Sequence, residues 1–169
     1  MSVNTNNNKF IYNYSYEQFV TDAHALSTHS HNTFTICEEP ILHTVYLKCM
    51  VNTRDNTHVV EMHILFSECY QMPCLYFTIY TNNTFIPVTY MQFKSTQCID
   101  ADISKYCVIT KDNHPFTGKV HEYMHLCQLN MFLHDIPDVR NTLYFWCSVV
   151  FQMFNVDLLK LLPFKNLIN

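Results

Sequence analysis

The sequence predicts an α+β domain in which a central antiparallel β-meander is flanked by helices. Apolar residues recur at helical spacing in residues 15–27 and again in residues 141–155. Between these two segments, three apolar runs with strand-like composition occupy residues 41–51, 58–68 and 74–81. The gaps between the runs are too short for a parallel crossover connection, which favours antiparallel pairing.

The first helix is predicted from a stripe that would bury one of its sides. That stripe consists of Tyr16, Phe19, Val20, Ala23 and Leu26. The chain from this helix to about Thr33 is rich in His, Thr and Ser and is interpreted as a connection. Strand 41–51 would place Val45, Leu47, Cys49 and Val51 on one face. Turns are expected at Asp55-Asn56 and at Tyr70-Gln71-Met72-Pro73, which separate the three runs.

The second half of the chain is less regular. Residues from Ile86-Pro87 to about Tyr106 are interpreted as irregular, and residues 107–110 as a short strand. Residues 119–125 alternate like a strand, and Gly118, the one glycine of the chain, is expected to make the turn before it. A short last helix is predicted over residues 156–162, ended by Pro163.

Composition sets the class of protein. The chain has 169 residues, of which 49% are apolar and 14% charged, so we expect one folded domain at 9–169 behind a flexible Asn-rich tail at 1–8. A net charge of −4 without a basic run argues against nucleic-acid binding. The longest apolar stretch, 143–151, is about half of a membrane span, so no stable membrane insertion is expected. With no secretory signal pattern, the expected location is the cytoplasm and the expected state a monomer.

The chain has eight cysteines, which in a cytosolic protein would stay reduced. Cys127 differs from the others because it follows an alternating strand and lies two residues after His125. A Cys-His hydrolase would also need an orienting third group and an oxyanion hole, for which no signature is present. A metal site at His121, His125 and Cys127 remains an alternative, because alternate residues of a strand share a face, although the spacing matches no standard zinc pattern.

Several motifs occur together in a fixed order. The segment His114-Pro115-Phe116-Thr117-Gly118 precedes an aromatic strand that leads to His125-Leu126-Cys127. Upstream lie Glu61-Met62-His63-Ile64-Leu65-Phe66-Ser67 and Tyr70-Gln71-Met72-Pro73-Cys74-Leu75-Tyr76-Phe77, and downstream lies Tyr144-Phe145-Trp146. Over roughly residues 58–155 the chain resembles the ubiquitin-like-conjugating enzymes of autophagy. Within that family it is most similar to the branch of autophagy-related protein 10.

The resemblance implies a ubiquitin-conjugating-enzyme-like fold and a set of residue roles. Cys127 matches the cysteine that carries the modifier as a thioester, while His125 and Tyr70 match positions that assist the acceptor lysine. No cofactor is implied. The implied partners are an activating enzyme of the autophagy-related protein 7 type, a modifier of the autophagy-related protein 12 type and an acceptor of the autophagy-related protein 5 type.

One position departs from the family pattern. Leu126 stands where the family has proline, which leaves φ free and adds a backbone N–H beside Cys127. This departure supports a further alternative, a catalytically inactive interaction module of the same fold.

Overall fold

The structure is a computed structural model that describes residues 14–30, 32–97, 107–125 and 142–161. Its helices and strands follow the order α1 (Tyr16–His29), β1 (Phe34–Glu39), β2 (Thr44–Asn52), β3 (His58–Ser67), β4 (Met72–Thr81), β5 (Pro87–Val88), α2 (Tyr90–Thr96), β6 (Val108–Asn113), β7 (Val120–His125), α3 (Thr142–Gln152) and α4 (Leu158–Leu161). The predicted tail at 1–8, and the predicted helix end at Pro163, lie outside the described residues.

One antiparallel sheet forms the centre of the molecule. Its strand order is β1-β2-β3-β4-β7-β6, and β5 pairs with β4 beside this path. Strands β2, β3 and β4 form the predicted meander, and β1 adds a further strand beside β2. Strand β7 pairs with β4 through Leu75 opposite Met124 and Phe77 opposite Glu122. The predicted α+β class and central antiparallel meander are confirmed.

Helix α1 confirms the first predicted helix and runs two residues further, to His29. Its N-cap is Ser15, whose hydroxyl accepts a hydrogen bond from the Gln18 amide while the Gln18 side chain accepts one from the Ser15 amide. This capping box satisfies two backbone donors that a helix start otherwise leaves unpaired. The helix contacts β1, β2 and α3, and Phe19, Ala23 and Leu26 are its buried residues.

The core lies between the helices and one face of the sheet, which we call the helix face. Phe34 of β1 stacks on Phe151 of α3 with ring centres 5.8 Å apart. Phe77 of β4 meets Phe154, just beyond α3, edge to face at 4.8 Å. Trp146 of α3 is completely buried. Burial of these large side chains is the main stabilising term, since transfer of apolar area from water favours folding by about 25 cal/mol per Å².

The start of the sheet differs from the prediction in two ways. Strand β1 was not predicted, since it lies between the connection predicted to end at about Thr33 and the predicted strand 41–51. The predicted strand 41–51 also begins too early, because β2 starts at Thr44. Residues 40–43 form the turn of a β1–β2 hairpin, in which Ile41 and Leu42 are exposed. The Glu39 carboxylate accepts hydrogen bonds from both of their amides, at 3.0 and 2.5 Å. Hydrogen bonds from a side chain to the nearby backbone compete with strand pairing. The apolar character of Ile41 and Leu42 does not indicate such bonds.

The segment predicted to be irregular also contains structure. Residues 87–88 add a short strand to β4, and α2 begins at Thr89 with a second capping box, formed with Gln92. The Thr-x-x-Gln signature of this cap is present in the sequence and was overlooked. Strand β6 extends past the predicted 107–110 to Asn113, so the turn follows at 114–118. Across the described ranges, no helix is long and apolar enough to cross a membrane.

Candidate active site

Strand β7 presents different side chains to the two sides of the sheet. Met124 is buried on the helix face, whereas His121, Tyr123 and His125 point to the opposite side, which we call the outer face. Tyr123 is 8% exposed and packs on Tyr76 of β4 at 4.7 Å. The alternation predicted from the sequence therefore places three ring-bearing side chains on one face.

His125 is held on two sides at the end of β7. Its Nε2 atom lies 3.0 Å from the Thr110 hydroxyl on the neighbouring strand β6. Its ring meets the Tyr123 ring edge to face, with centres 4.6 Å apart and planes at 85°. His125 is half-buried. Sequence reasoning selected His125 but missed Thr110 of β6 and Tyr123 of β7. Tyr123 could have been found from its position two residues before His125, which places both on one face of β7. Thr110 becomes their neighbour through the pairing of β6 with β7.

Tyr70 lies in the turn between β3 and β4, and 43% of it is exposed. Because β4 and β7 are antiparallel, this turn and the end of β7 lie at the same end of the sheet. The two residues are linked through Tyr123: burial raises the pKa of Tyr123, and Cys74, Tyr76 and Tyr70 raise that pKa further. The structure therefore brings Tyr70 and His125 into the surroundings of one buried phenol.

Cys127 and Leu126 lie outside the described residues, and the placement of the thiol stays a prediction. Covalent geometry limits its distance from His125, because the Cα atoms of residues two positions apart are at most about 7 Å from each other.

Most of the described cysteines are poor nucleophiles. Burial raises the pKa of Cys107 to about 11 and that of Cys74 to about 12, and it also raises those of Cys49 and Cys147. A thiol with so high a pKa holds almost no thiolate at neutral pH, and the thiolate is the nucleophile. Cys69, beside Tyr70, is exposed.

The His-Pro-Phe-Thr-Gly segment makes the turn before β7, as predicted for Gly118. His114 is completely buried, and its Nδ1 accepts hydrogen bonds from the amides of Phe116 and Thr117 at 3.2 and 3.3 Å. Gly118 has φ of 65°, and its amide donates to the His114 carbonyl. Burial, and then the neighbouring His63 and His121, lower the pKa of His114 to about 4. A neutral imidazole thus closes the turn from inside.

The three buried histidines His63, His114 and His121 form a cluster that sequence reasoning did not predict. Their ring centres are 4.8 to 5.5 Å apart. His121 also bonds Thr78, and His63 contacts Glu61, which accepts hydrogen bonds from Lys48 and Tyr80. The partners of this cluster come from four strands and one turn, so no local pattern signals it.

The metal alternative finds no support in the part of the chain that the structure describes. That part holds no group of three His, Cys, Asp or Glu side chains arranged to bind a metal ion. His121 and His125 do share a face, but they are four positions apart on the strand, which is about 13 Å. Each is engaged by a different threonine, Thr78 and Thr110 respectively.

Comparison with known proteins adds a family and a fold. The family described as "Autophagocytosis associated protein, active-site domain" matches residues 48–160, which is more than half of the chain. Among solved structures, one described as "Solution structures of KmAtg10" matches with a TM-score of 0.52 and 15% sequence identity. The match covers 89% of this chain and 99% of that one, and at this identity it shows a shared fold. No curated protein sequence matches.

Proposed function

This chain belongs to the autophagocytosis-associated family of autophagy conjugating (E2-like) enzymes, and we propose that it carries a ubiquitin-like modifier as a thioester on Cys127. In this proposal the modifier then passes to a lysine of a second protein. One observation supports the proposal most directly. Strand β7 ends at His125, at the same end of the sheet as Tyr70, and Cys127 follows His125 by two positions in the sequence.

The first step is thioester exchange. The Cys127 thiolate attacks the carbonyl carbon of the modifier's thioester on an activating enzyme. A new S–C bond forms on Cys127, the old one breaks, and the activating enzyme's cysteine leaves as a thiolate. A free cysteine has a pKa of about 8.5, so a few per cent is thiolate near neutral pH. That fraction is sufficient because the bond broken and the bond formed are of the same kind.

The second step forms an amide. A neutral lysine amine attacks the thioester carbonyl, a C–N bond forms, and the C–S bond breaks with Cys127 leaving as a thiolate. The amine nitrogen gives up one proton, which passes to the departing thiolate or to water. His125 and Tyr70 are proposed to orient the amine and to donate hydrogen bonds to the oxyanion that forms on the carbonyl.

The specific partners follow from the motif resemblance. We propose an activating enzyme of the autophagy-related protein 7 type, a modifier of the autophagy-related protein 12 type and an acceptor of the autophagy-related protein 5 type. The ordered motifs over residues 58–155 and the fold shared with the KmAtg10 solution structure support this assignment. Leucine at 126 retains a backbone N–H where the family has none, and the proposal requires that Cys127 reacts in this setting.

The test is a charging assay. The protein is mixed with ATP, the activating enzyme and the modifier, and the products are separated without reductant. We expect an adduct that disappears on addition of thiol, is absent in Cys127→Ala and becomes a thiol-resistant ester in Cys127→Ser. The control Cys69→Ala, which removes the exposed thiol next to Tyr70, should charge normally.

Two results would contradict the proposal. One is an uncharged protein beside a fully charged activating enzyme. The other is an adduct that survives Cys127→Ala. Binding of the modifier without any adduct would favour the inactive interaction module instead.

A further inference from the structure

We infer that Thr110 is a positioning residue that holds His125 in the orientation needed for transfer to the acceptor lysine. The inference rests on the proposed function, since it concerns the second chemical step at the same site. It goes beyond that function because Thr110 belongs to none of the motifs that led to the site. Its support is the hydrogen bond between Thr110 Oγ1 and His125 Nε2, together with the ring contact between His125 and Tyr123.

The pairing of β6 with β7 creates this contact. Val108 lies opposite His125 and Thr110 lies opposite Tyr123, so Thr110 and His125 are diagonal neighbours on the outer face. Side chains in diagonal positions are within reach of each other when one of them is long. Threonine is stiff at χ1, so the strand backbone fixes the position of its hydroxyl. The backbone of β6 thereby sets where Nε2 of His125 lies.

The bond also decides which ring nitrogen is left for chemistry. Nε2 is engaged by Thr110, and Nδ1 makes no hydrogen bond to any residue of the described ranges. The hydroxyl can donate to Nε2, which leaves Nδ1 as a donor, or it can accept from Nε2, which leaves Nδ1 as an acceptor. In both cases Nδ1 is the atom available to the acceptor amine or to the oxyanion.

Tyr123 supplies the second constraint. Its ring is 8% exposed and meets the His125 ring edge to face, so it limits tilting of the imidazole. It does not prevent a half-turn about χ2, which would exchange a ring nitrogen for a ring carbon. Of the two contacts, only the hydrogen bond with Thr110 distinguishes the two ring orientations of His125 that a half-turn about χ2 exchanges. Thr110 itself is exposed, so the bond competes with water, and the expected effect is moderate.

The experiment compares three threonine variants in single-turnover discharge. The Cys127 thioester is formed first, and its transfer to the acceptor lysine is then followed at pH 7.5, while ¹⁵N NMR reads the tautomer of His125. Thr110→Val keeps the branched shape but removes the hydroxyl, and Thr110→Ser keeps the hydroxyl. Thr78→Val is the matched control, because Thr78 of β4 bonds His121 at the same 3.0 Å on the same face. His121 lies about 13 Å from His125 along β7.

We expect all three variants to charge like the wild type. Thr110→Val should discharge about 3- to 10-fold more slowly, the range that the loss of one hydrogen bond produces. It should also change the tautomer balance of the neutral His125 ring, because Thr110 Oγ1 no longer bonds Nε2. Thr110→Ser should discharge at nearly the wild-type rate, and Thr78→Val should alter neither the discharge rate nor the tautomer balance of His125. In a His125→Ala background, Thr110→Val should cause no further loss.

The inference and the proposed function fail in different ways. If the wild type never charges, the proposed function fails, and the ring state of His125 can still be read by ¹⁵N NMR. An unchanged tautomer balance of His125 in Thr110→Val would overturn the inference. Normal charging together with an unchanged discharge rate in Thr110→Val would also overturn it, while leaving the thioester role of Cys127 intact.

Discussion

The helix face and the outer face of the sheet come from the same strands but are built from different chemistry. On the helix face, neighbouring strands contribute Leu47, Ile64 and Leu75, which are fully buried and carry no polar side-chain atom. On the outer face, adjacent positions contribute Lys48, His63 and Tyr76, which carry charge or hydrogen-bonding groups. A period of two along each strand is sufficient to separate the two chemistries.

Among the residues that the structure describes, a turn and not a helix covers the outer face. The hairpin between β6 and β7 folds its tip onto it, so that His114 packs against Tyr46, His63 and Tyr76 at 4.8 to 5.5 Å. The same hairpin ends at His125. We conclude that the helix face provides most of the stability, while the outer face fixes the strand that leads to the candidate site.

The largest expected effect is on the helix face. Phe154 is completely buried and contacts the rings of Phe77, Tyr90 and Phe93. Phe154→Ala should lower the free energy of unfolding by about 3 to 5 kcal/mol, because it removes apolar contacts and leaves a cavity. Urea denaturation at pH 7.5 and 5.0 measures it, and the loss should be the same at both values.

The matched control is Phe116→Ala, which removes a half-buried ring from the outer face. If this change costs more than Phe154→Ala, the assignment of stability to the helix face is wrong.

The next largest effect is a pH dependence of the free energy of unfolding, which we expect from the outer face. The pKa of His114 is lowered to about 4 and that of His121 is lowered too, chiefly by burial. The folded state therefore binds fewer protons than the unfolded state, whose histidines titrate near 6.5. This stability is complete above pH 6.5 and is lost as pH falls toward 4, at a cost on the order of 2 to 3 kcal/mol for His114. Unfolding free energies from pH 7.5 to 4.5 measure the slope.

Glu61 also faces this cluster. The contact with His63 and the Lys48 ammonium hold the pKa of Glu61 far below its usual range, so that carboxylate stays charged throughout. His114→Asn keeps an acceptor for the turn amides but cannot titrate, so its slope should be flatter than that of the wild type. His43→Gln removes an exposed histidine and should leave the slope unchanged. Equal slopes in all three proteins would remove the cluster as the cause.

The smallest effect concerns the turn that covers the outer face. Gly118 has φ of +65°, and a Cβ added there would meet nothing within 4 Å. Gly118→Ala should therefore cost about 1 kcal/mol from backbone strain alone. Gly118→Asn should cost less, because asparagine tolerates the left-handed region better. Thermal unfolding of both variants measures the difference, and equal losses would show that the backbone conformation is not the reason.

The sequence by itself determined the features that depend on local pattern. Helix α1 follows from its apolar stripe, β3 and β7 from their alternation, and the turn at Gly118 from the need for positive φ. The order of the motifs along the chain is likewise sufficient to indicate the family. His125 and Tyr70 are selected by those motifs, and the fold places both at one end of the sheet.

Only the tertiary structure decided which distant segments meet. Strand β7 pairs with β4, Thr110 reaches His125, and His114 is buried against His63 and His121. Strand β1 was missed for the same reason, since it is defined by its pairing with β2. Strand pairing joins residues far apart in the chain, and its register depends on side-chain packing across the sheet, which no single segment of sequence contains.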